Sequence, residues 1–281
     1  LAKSFPSTMT DPAGKQAKAE AIGNRIRAGL AAAFDDAGKI VCNDYPADDA
    51  ELVVAEGIRH LTRTAAAGAA IAMECDAAYP YLIKMISLWR QYGLPGADCV
   101  YHYATLHGDY RYVLNGNRGS ATVFELEVWQ GHVSDLANWK FFSTTKHSLA
   151  PNQVIDVKFS REAQDGDWLE LPPGECCLLV RQYYGDWDSE SPAQLHIERE
   201  GALYPPPPLT LADSARRAKQ IESWLRTTTA GAKRAIQQHL NADPATLPVT
   251  PIAFGFTKLR YLRGHYRCAR DQAVILEVKP P

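Results

Sequence analysis

No apolar run in this sequence approaches the roughly 20 residues that a membrane-spanning helix needs. The best candidate, Thr64–Met73, is mostly alanine and about half that length, so a soluble protein is expected. Charge of one sign is missing too: 30 basic residues stand against 32 acidic ones, net -2, and the basic ones are dispersed. That leaves no electrostatic footprint for nucleic acid or for an anionic membrane surface. The six cysteines contain no C-x-x-C, and the adjacent pair Cys176-Cys177 suits a disulfide framework poorly. Reduced, buried thiols and a cytoplasmic location are expected. The chain begins at Leu1, and a removed signal segment is left open.

Chemical motifs are equally sparse. The sequence has no G-x-S-x-G, no G-x-x-x-x-G-K-[ST], no strand-linked G-x-G-x-x-G and no H-E-x-x-H, which removes support for the common hydrolase, P-loop, dinucleotide and zincin classes. Jelly-roll metal sites use closely spaced histidines with a carboxylate. Here His102 and His107 are five apart around a turn, and residues five apart on a strand point to opposite faces. A metal is therefore not expected, although His102, His132, His147 or His196 could meet a carboxylate through folding.

What is present is a large core and a block of strands. With 46% hydrophobic residues the chain can fold alone. The strongest β signal is Cys99–Leu106, a His107-Gly-Asp109 turn and Tyr110–Leu114, which together read as a hairpin. Ala121–Gln130 alternates, with Val123, Glu125, Glu127 and Trp129 on one side and Thr122, Phe124, Leu126 and Val128 on the other. Further strands are expected at Gln153–Phe159, Trp168–Leu171, Cys176–Tyr184 and Ala193–Arg199, separated by Gly and Pro turns. The spacing suits an antiparallel sandwich or jelly roll.

Helices flank this block. Ile22, Ile26, Leu30, Ala33 and Phe34 fall near the helical period after Asp11-Pro12, and Leu52, Ala55, Ile58 and Leu61 repeat the pattern after Asp49. A third helix is expected from Pro80, with Leu82, Met85, Ile86 and Trp89 on one face. Four prolines, Pro205–Pro208, form a stiff spacer that ends the strands. One helix is expected from Thr210 or Asp213 and another over Gly231–Leu240. A last strand, Gln272–Val278, should return to the sandwich. The fold class is thus α+β: residues 1–96 a helical region packed on a jelly-roll-like antiparallel β-sandwich of residues 97–281, with a C-terminal helical insertion at about 210–242.

Tyr110–Gly119, Leu126-Glu-Val-Trp129, Asp167-Trp168, Val180-Arg-Gln-Tyr183, Asp186-Trp187 and Pro192–Arg199 occur in an order that resembles the bacterial family catalogued as domain of unknown function 1214. The likeness runs from about Tyr79 to Arg199 and resumes over Asp271–Pro281, with the Pro280-Pro281 ending. It implies a β-sandwich of jelly-roll type with attached helices. It implies no catalytic set, so the site is argued from its own residues.

Tyr101 and Tyr103 share one face of the first strand, Glu125, Glu127 and Trp129 one face of the third, and Arg181 and Tyr183 one face of a later one. If these faces converge they line a cavity with aromatic walls, two carboxylates and a guanidinium, a set able to move protons without a cofactor. The alternative places both glutamates in solvent on the outside of the sandwich. Arg181 breaks the apolar run Cys177–Val180, and either a structural partner such as Asp186 or a glutamate, or a ligand anion, answers its charge. Arg111 and Asp109 read as an exposed local pair. Trp129, Trp168 and Trp187 serve the core or touch ligand. Phe254–Tyr266, rich in Arg and Tyr, reads as a packing strap or a lid.

The first functional expectation is a cofactor-independent lyase, hydratase or isomerase acting on a largely apolar, aromatic or terpenoid-like small molecule. Glu125 or Glu127 is its base, Tyr103 or Tyr183 its proton donor and Arg181 its anion holder, with Tyr101, Trp129 and Trp187 contacting substrate. The alternative is a non-catalytic carbohydrate-binding jelly-roll module. Partners are a small molecule and neither nucleic acid nor membrane; a homo-oligomer is left open.

Overall fold

The computed structural model describes residues 12–43, 50–91, 96–135, 137–145, 149–240, 249–250, 261–262 and 271–277. The protein is α+β, with helices on a pair of predominantly antiparallel sheets. Helix α1 (Pro12–Val41) begins with proline in a first-turn position, where no amide hydrogen is needed. It turns Ala33 and Ala37 into the core, and Leu30 packs against them. Helix α2 (Ala50–Gly68) buries Gly57, Leu61, Thr64, Ala67 and Gly68, and the alanine-rich tract continues it as a π-helical turn, Ala69–Glu74. Leu52 and Ile58 are exposed, so the buried stripe is rotated away from the large residues towards small ones. Helix α3 (Leu211–Leu240) explains the rotation. Its Trp224 lies where a Cβ on Gly68 would collide with the indole, and Trp224 Nε1 donates to Thr64 O at 2.8 Å.

Nine strands form two sheets. In the first, the order is β1 (Ile83–Lys84), β2 (Cys99–His107), β8 (Glu175–Tyr183), β4 (Val123–Gln130) and β5 (Lys140–Thr144); in the second it is β7 (Asp167–Glu170), β6 (Val154–Ser160), β3 (Tyr112–Asn117) and β9 (Gln194–Arg199). All pairs are antiparallel except β6–β7, which is parallel and departs from the antiparallel sandwich expected. Ala104, Leu106, Leu126, Val128, Leu178 and Val180 of the first sheet meet Tyr112, Leu114, Ile155, Val157, Phe159 and Ile197 of the second in one apolar core. The opposite face of the first sheet packs under the helices: Tyr103, Trp129, Cys177 and Leu179 share a second core with Leu61, Ile71, Ala72, Ile221, Trp224 and Leu225. The first sheet is therefore the middle of three layers.

Local patterns were overridden at several places. β2 and β3 do not pair as a hairpin. The chain crosses at residues 108–111 from one sheet to the other, and Gly108 N donates to Gly174 O at 2.8 Å. Both strands present apolar residues to the same sandwich core, so non-local partners win. The helix expected from Pro80 is absent: Ile83 and Lys84 pair with Tyr103 and His102, Met85 N donates to Tyr101 O, and Ser87 and Arg90 close a tight turn with Leu88 and Trp89 exposed. An edge strand supplied hydrogen-bond partners that a short helix would not. The two C-terminal helices are one, continuous through Gly231. Asp109 and Arg111 do not pair with each other: Asp109 lies 3.6 Å from His107 Nδ1 and 3.8 Å from Arg161, and Arg111 lies 3.9 Å from Glu162.

By compactness the chain divides into residues 1–228 and 229–281. In the second unit β10 (Val249–Thr250) pairs with β11 (Tyr261–Leu262). Residues 272–277 form no strand and are exposed, against the expected return to the sandwich. The Phe254–Tyr266 segment, apart from β11, lies outside the described residues, as does Val278.

Candidate active site on the helical face of the first sheet

Register in β2, β8 and β4 stacks one face into four rows. They are Cys99–Tyr183–Val123, Tyr101–Arg181–Glu125, Tyr103–Leu179–Glu127 and Thr105–Cys177–Trp129. The alternation of each strand aims all twelve side chains at the helical layer. Burial rises along the rows: the first is half-buried throughout, the second holds Arg181 at 7% and Glu125 at 9% exposure, and Glu127 in the third is at 0%. The three separate faces singled out from the sequence thus converge, and the solvent-facing alternative for the two glutamates is overturned.

Arg181 Nε lies 3.0 Å from Glu127 Oε1, and Trp129 Nε1 donates to Glu127 Oε2 at 2.8 Å. Burial pushes the Glu127 carboxyl above its usual range, with the guanidinium and indole opposing it. Burial works against the Arg181 charge, but Glu127 and the Tyr183 hydroxyl outweigh it and hold the guanidinium protonated. The Arg181 guanidinium also sits 5.4 Å from the centre of the Tyr101 ring. Beyond it the Tyr101 and Tyr183 hydroxyls are 2.9 Å apart, their rings edge to face. The Cys99 thiol neighbours the Tyr101 hydroxyl. A continuous polar line therefore runs from Glu127 through Arg181, Tyr183 and Tyr101 to Cys99, from the wholly buried row to the half-buried one.

The line separates roles that looked alike in the sequence. Glu127 is spent on Arg181 and Trp129 behind the site, whereas Glu125 stands in the same row as Arg181 and Tyr101, with Thr144 Oγ1 at 3.4 Å from its Oε1. Tyr103 lies one row deeper, fully buried, its hydroxyl oxygen contacted by Thr105 Oγ1 at 3.4 Å. Trp129 belongs to a stack with Trp139, centroids 4.2 Å apart, whose indole donates to Cys177 Sγ at 3.4 Å. Trp187 is not brought to this face: it is 51% exposed, stacks on Tyr184 at 4.0 Å and donates to Ala97 O. Trp168 is tied to Ser160 by its indole N–H.

Sequence reasoning missed Cys99 as the end of the line, Trp139 as the partner of Trp129 and Thr144 beside Glu125. Each depends on a cross-strand or cross-loop neighbour; only the same-face spacing of Cys99 with Tyr101 was visible beforehand. The π-helical turn roofing the same core, a form often found at functional sites, carried no signal beyond an unbroken alanine tract.

A concavity of about 390 Å³ opens at the other end of the sheet, lined by Gln130, Gly131, Asn138, Lys140, Pro173 and Glu175. It is shallow, of mixed polar and apolar lining, and contains none of the residues above. Among the described residues no three His, Cys, Asp or Glu side chains come together as a metal-holding group. His102 faces the sandwich beside Gln182, His132 lies in the β4–β5 connection, His196 is exposed near Glu198, and His147 is outside the described residues. No described helix is long and apolar enough to cross a membrane.

The fold places the chain among α+β proteins built on a β-sandwich. A solved structure of an uncharacterised protein from Burkholderia cenocepacia is similar, with 26% sequence identity and a TM-score of 0.67 over 75% of this chain and 60% of that one. The chain thus spans less than two thirds of that protein's length. No protein-family model matches it, and no curated protein does.

Proposed function

We propose that the protein is an acid/base enzyme of the lyase, hydratase or isomerase type, working with its own side chains on a largely apolar, aromatic or terpenoid-like small molecule. The observation that carries this is the row Tyr101–Arg181–Glu125: a carboxylate, a guanidinium and a phenol on adjacent strands under an apolar helical roof. In this reading Glu125 takes a proton from the carbon next to a substrate carbonyl. The C–H electron pair becomes the enolate double bond and the negative charge passes to oxygen, which faces Arg181 and the phenols. Returning the proton to another carbon gives an isomerase. Expelling a β-substituent with its bonding pair, the leaving group taking the proton, gives a lyase, and the reverse with water is a hydratase. Glu127 is a positioning residue that holds Arg181.

Ligands should first be sought by thermal shift, with aromatic and polycyclic carbonyl compounds against oligosaccharides. Hits are then followed by NMR for exchange of the α-proton in D₂O. Exchange is expected with the wild type and lost in Glu125→Gln without loss of fold; exchange that survives this change sinks the proposal. The carbohydrate-binding reading draws on the polar side chains Gln130, Asn138, Lys140 and Glu175 around the open groove, and a shift confined to oligosaccharides would favour it. We further propose a cytoplasmic protein related to the domain of unknown function 1214 family. The ordered motifs support the kinship, and the buried single thiols Cys75, Cys176 and Cys177 support the location.

A further inference from the structure

We infer that the Tyr101–Tyr183 hydroxyl pair, backed by Arg181, is a binding site for an anionic or carbonyl oxygen, so that the substrate is an organic acid or oxo compound with an apolar body. This rests on reading the same face as an acid/base site. Two hydroxyls 2.9 Å apart share one hydrogen bond, which consumes one of their two protons. The Tyr183 oxygen is bonded to the Arg181 guanidinium, which has only donors to give, and either hydroxyl can be the donor of the bond the two share. One phenol proton of the pair is left for an acceptor outside it.

Beside the pair stands the Cys99 thiol, a weak acceptor whose own proton points to Gly96 O at 3.6 Å. The other links of the line join an ion pair and two hydroxyls; the last ends on a poor acceptor, in the half-buried row where a ligand can enter. A carboxylate or enolate oxygen is a far better acceptor than sulfur and would displace it, gaining the guanidinium field behind the phenols as well. Burial, helped by the bonds to Cys99 and Tyr183, pushes the Tyr101 phenol far above its ordinary value, so it remains a donor throughout the physiological range. The neighbouring apolar side chains Met85 and Ile86 belong to the same helical-face core and suit the rest of such a molecule.

The test uses the full chain and three matched pairs of probes, benzoate with toluene, cinnamate with styrene and 2-naphthoate with naphthalene, read by thermal shift and by calorimetric titration. At least one acid should bind more tightly than its hydrocarbon. Tyr101→Phe, which keeps the ring, should cut that acid's affinity by about 10- to 100-fold, the range of one hydrogen bond to a charged group, and leave the hydrocarbon's unchanged. Tyr183→Phe, a second variant should the first fold poorly, should give a loss in the same direction. Cys99→Ala should hold or tighten acid binding, because only the resting acceptor is removed. No acid outperforming its hydrocarbon, or an acid preference intact in both phenylalanine variants, overturns the site. Failure of the enzyme reading is distinguishable: proton exchange unaffected by Glu125→Gln, together with an acid preference lost in Tyr101→Phe, removes the enzyme and leaves the oxygen site standing.

Discussion

The two faces of the first sheet use the same three strands, the same backbone and nearly the same burial, yet differ in kind. Towards the second sheet, Ala104, Leu106, Leu126, Val128, Leu178 and Val180 form an apolar surface, with the uncharged pair His102 and Gln182 at one end of it. Towards the helices, residues one position away on the same strands place two carboxylates, a guanidinium and three phenols among apolar neighbours. Burying charge is expensive, and a buried ion pair adds little net stability over apolar residues of the same size. The sandwich face already holds the sheet together. The helical face therefore carries polar groups that folding does not require, and an alternation of two lets one sheet keep both roles apart.

The largest expected effect breaks the polar side. Glu127→Gln removes the carboxylate that Arg181 Nε meets at 3.0 Å, and urea unfolding should show a loss of about 3–5 kcal/mol. Replacing both, Glu127→Leu with Arg181→Met, should recover most of that loss while leaving the oxygen site without its cation. A double variant as unstable as the single one would show that the pair holds the fold. On the apolar side Leu126→Ala, at a fully buried position, should cost about 2–5 kcal/mol with no change in ligand preference. If ligand binding falls in parallel with stability, the two faces are not separable. Smaller still, Trp187→Ala removes a ring stacked on Tyr184 at the sheet's end, for about 0.5–1.5 kcal/mol. No effect on binding is expected, because Trp187 stands apart from the four rows.

The same comparison explains what could be read in advance. Period-two alternation in Ala121–Gln130 separated Glu125, Glu127 and Trp129 from Leu126 and Val128, and strand parity placed Tyr101 with Tyr103 and Arg181 with Tyr183; those faces were legible because they are local. What covers the polar face was not. Only docking of α2, the π-helical turn and α3 buries Glu127, and the alternation of polar and apolar residues is the same whether the polar side meets water or a helix. The hairpin was misplaced for a related reason, since a Gly-bearing turn between two β-rich runs is common to a paired hairpin and to a corner between sheets. The Pro80 segment was lost because four apolar residues over eight positions satisfy a helix or an edge strand plus turn, and the open edge of β2 decided it.

The smallest effect is a slope with pH, and it can be assigned to a face. His102 on the sandwich side and His132 in the β4–β5 connection both have their affinity for a proton lowered by burial. Gln182 Nε2 lies 3.2 Å from His102 Nδ1, and Ser134 N donates to His132 Nδ1 at 3.1 Å, so in each ring a proton on Nδ1 would remove the acceptor. Lys84 lowers the first further; at the second Glu175 opposes burial and Arg216 reinforces it. With the folded values below the ordinary 6.5, the unfolded chain binds more protons between the two, so stability rises with pH through that window and is lost as pH falls below about 6.5. The Ser134 carbonyl takes hydrogen bonds from Ser223 and Thr227 of α3, which makes His132 the residue whose protonation loosens the helical layer. Urea midpoints measured between about pH 5 and pH 7.5 should fall towards acid, and His132→Gln should flatten part of that slope together with any acid-induced loss of ligand binding. His102→Gln should flatten stability alone. If the two variants behave alike, protonation does not distinguish the faces.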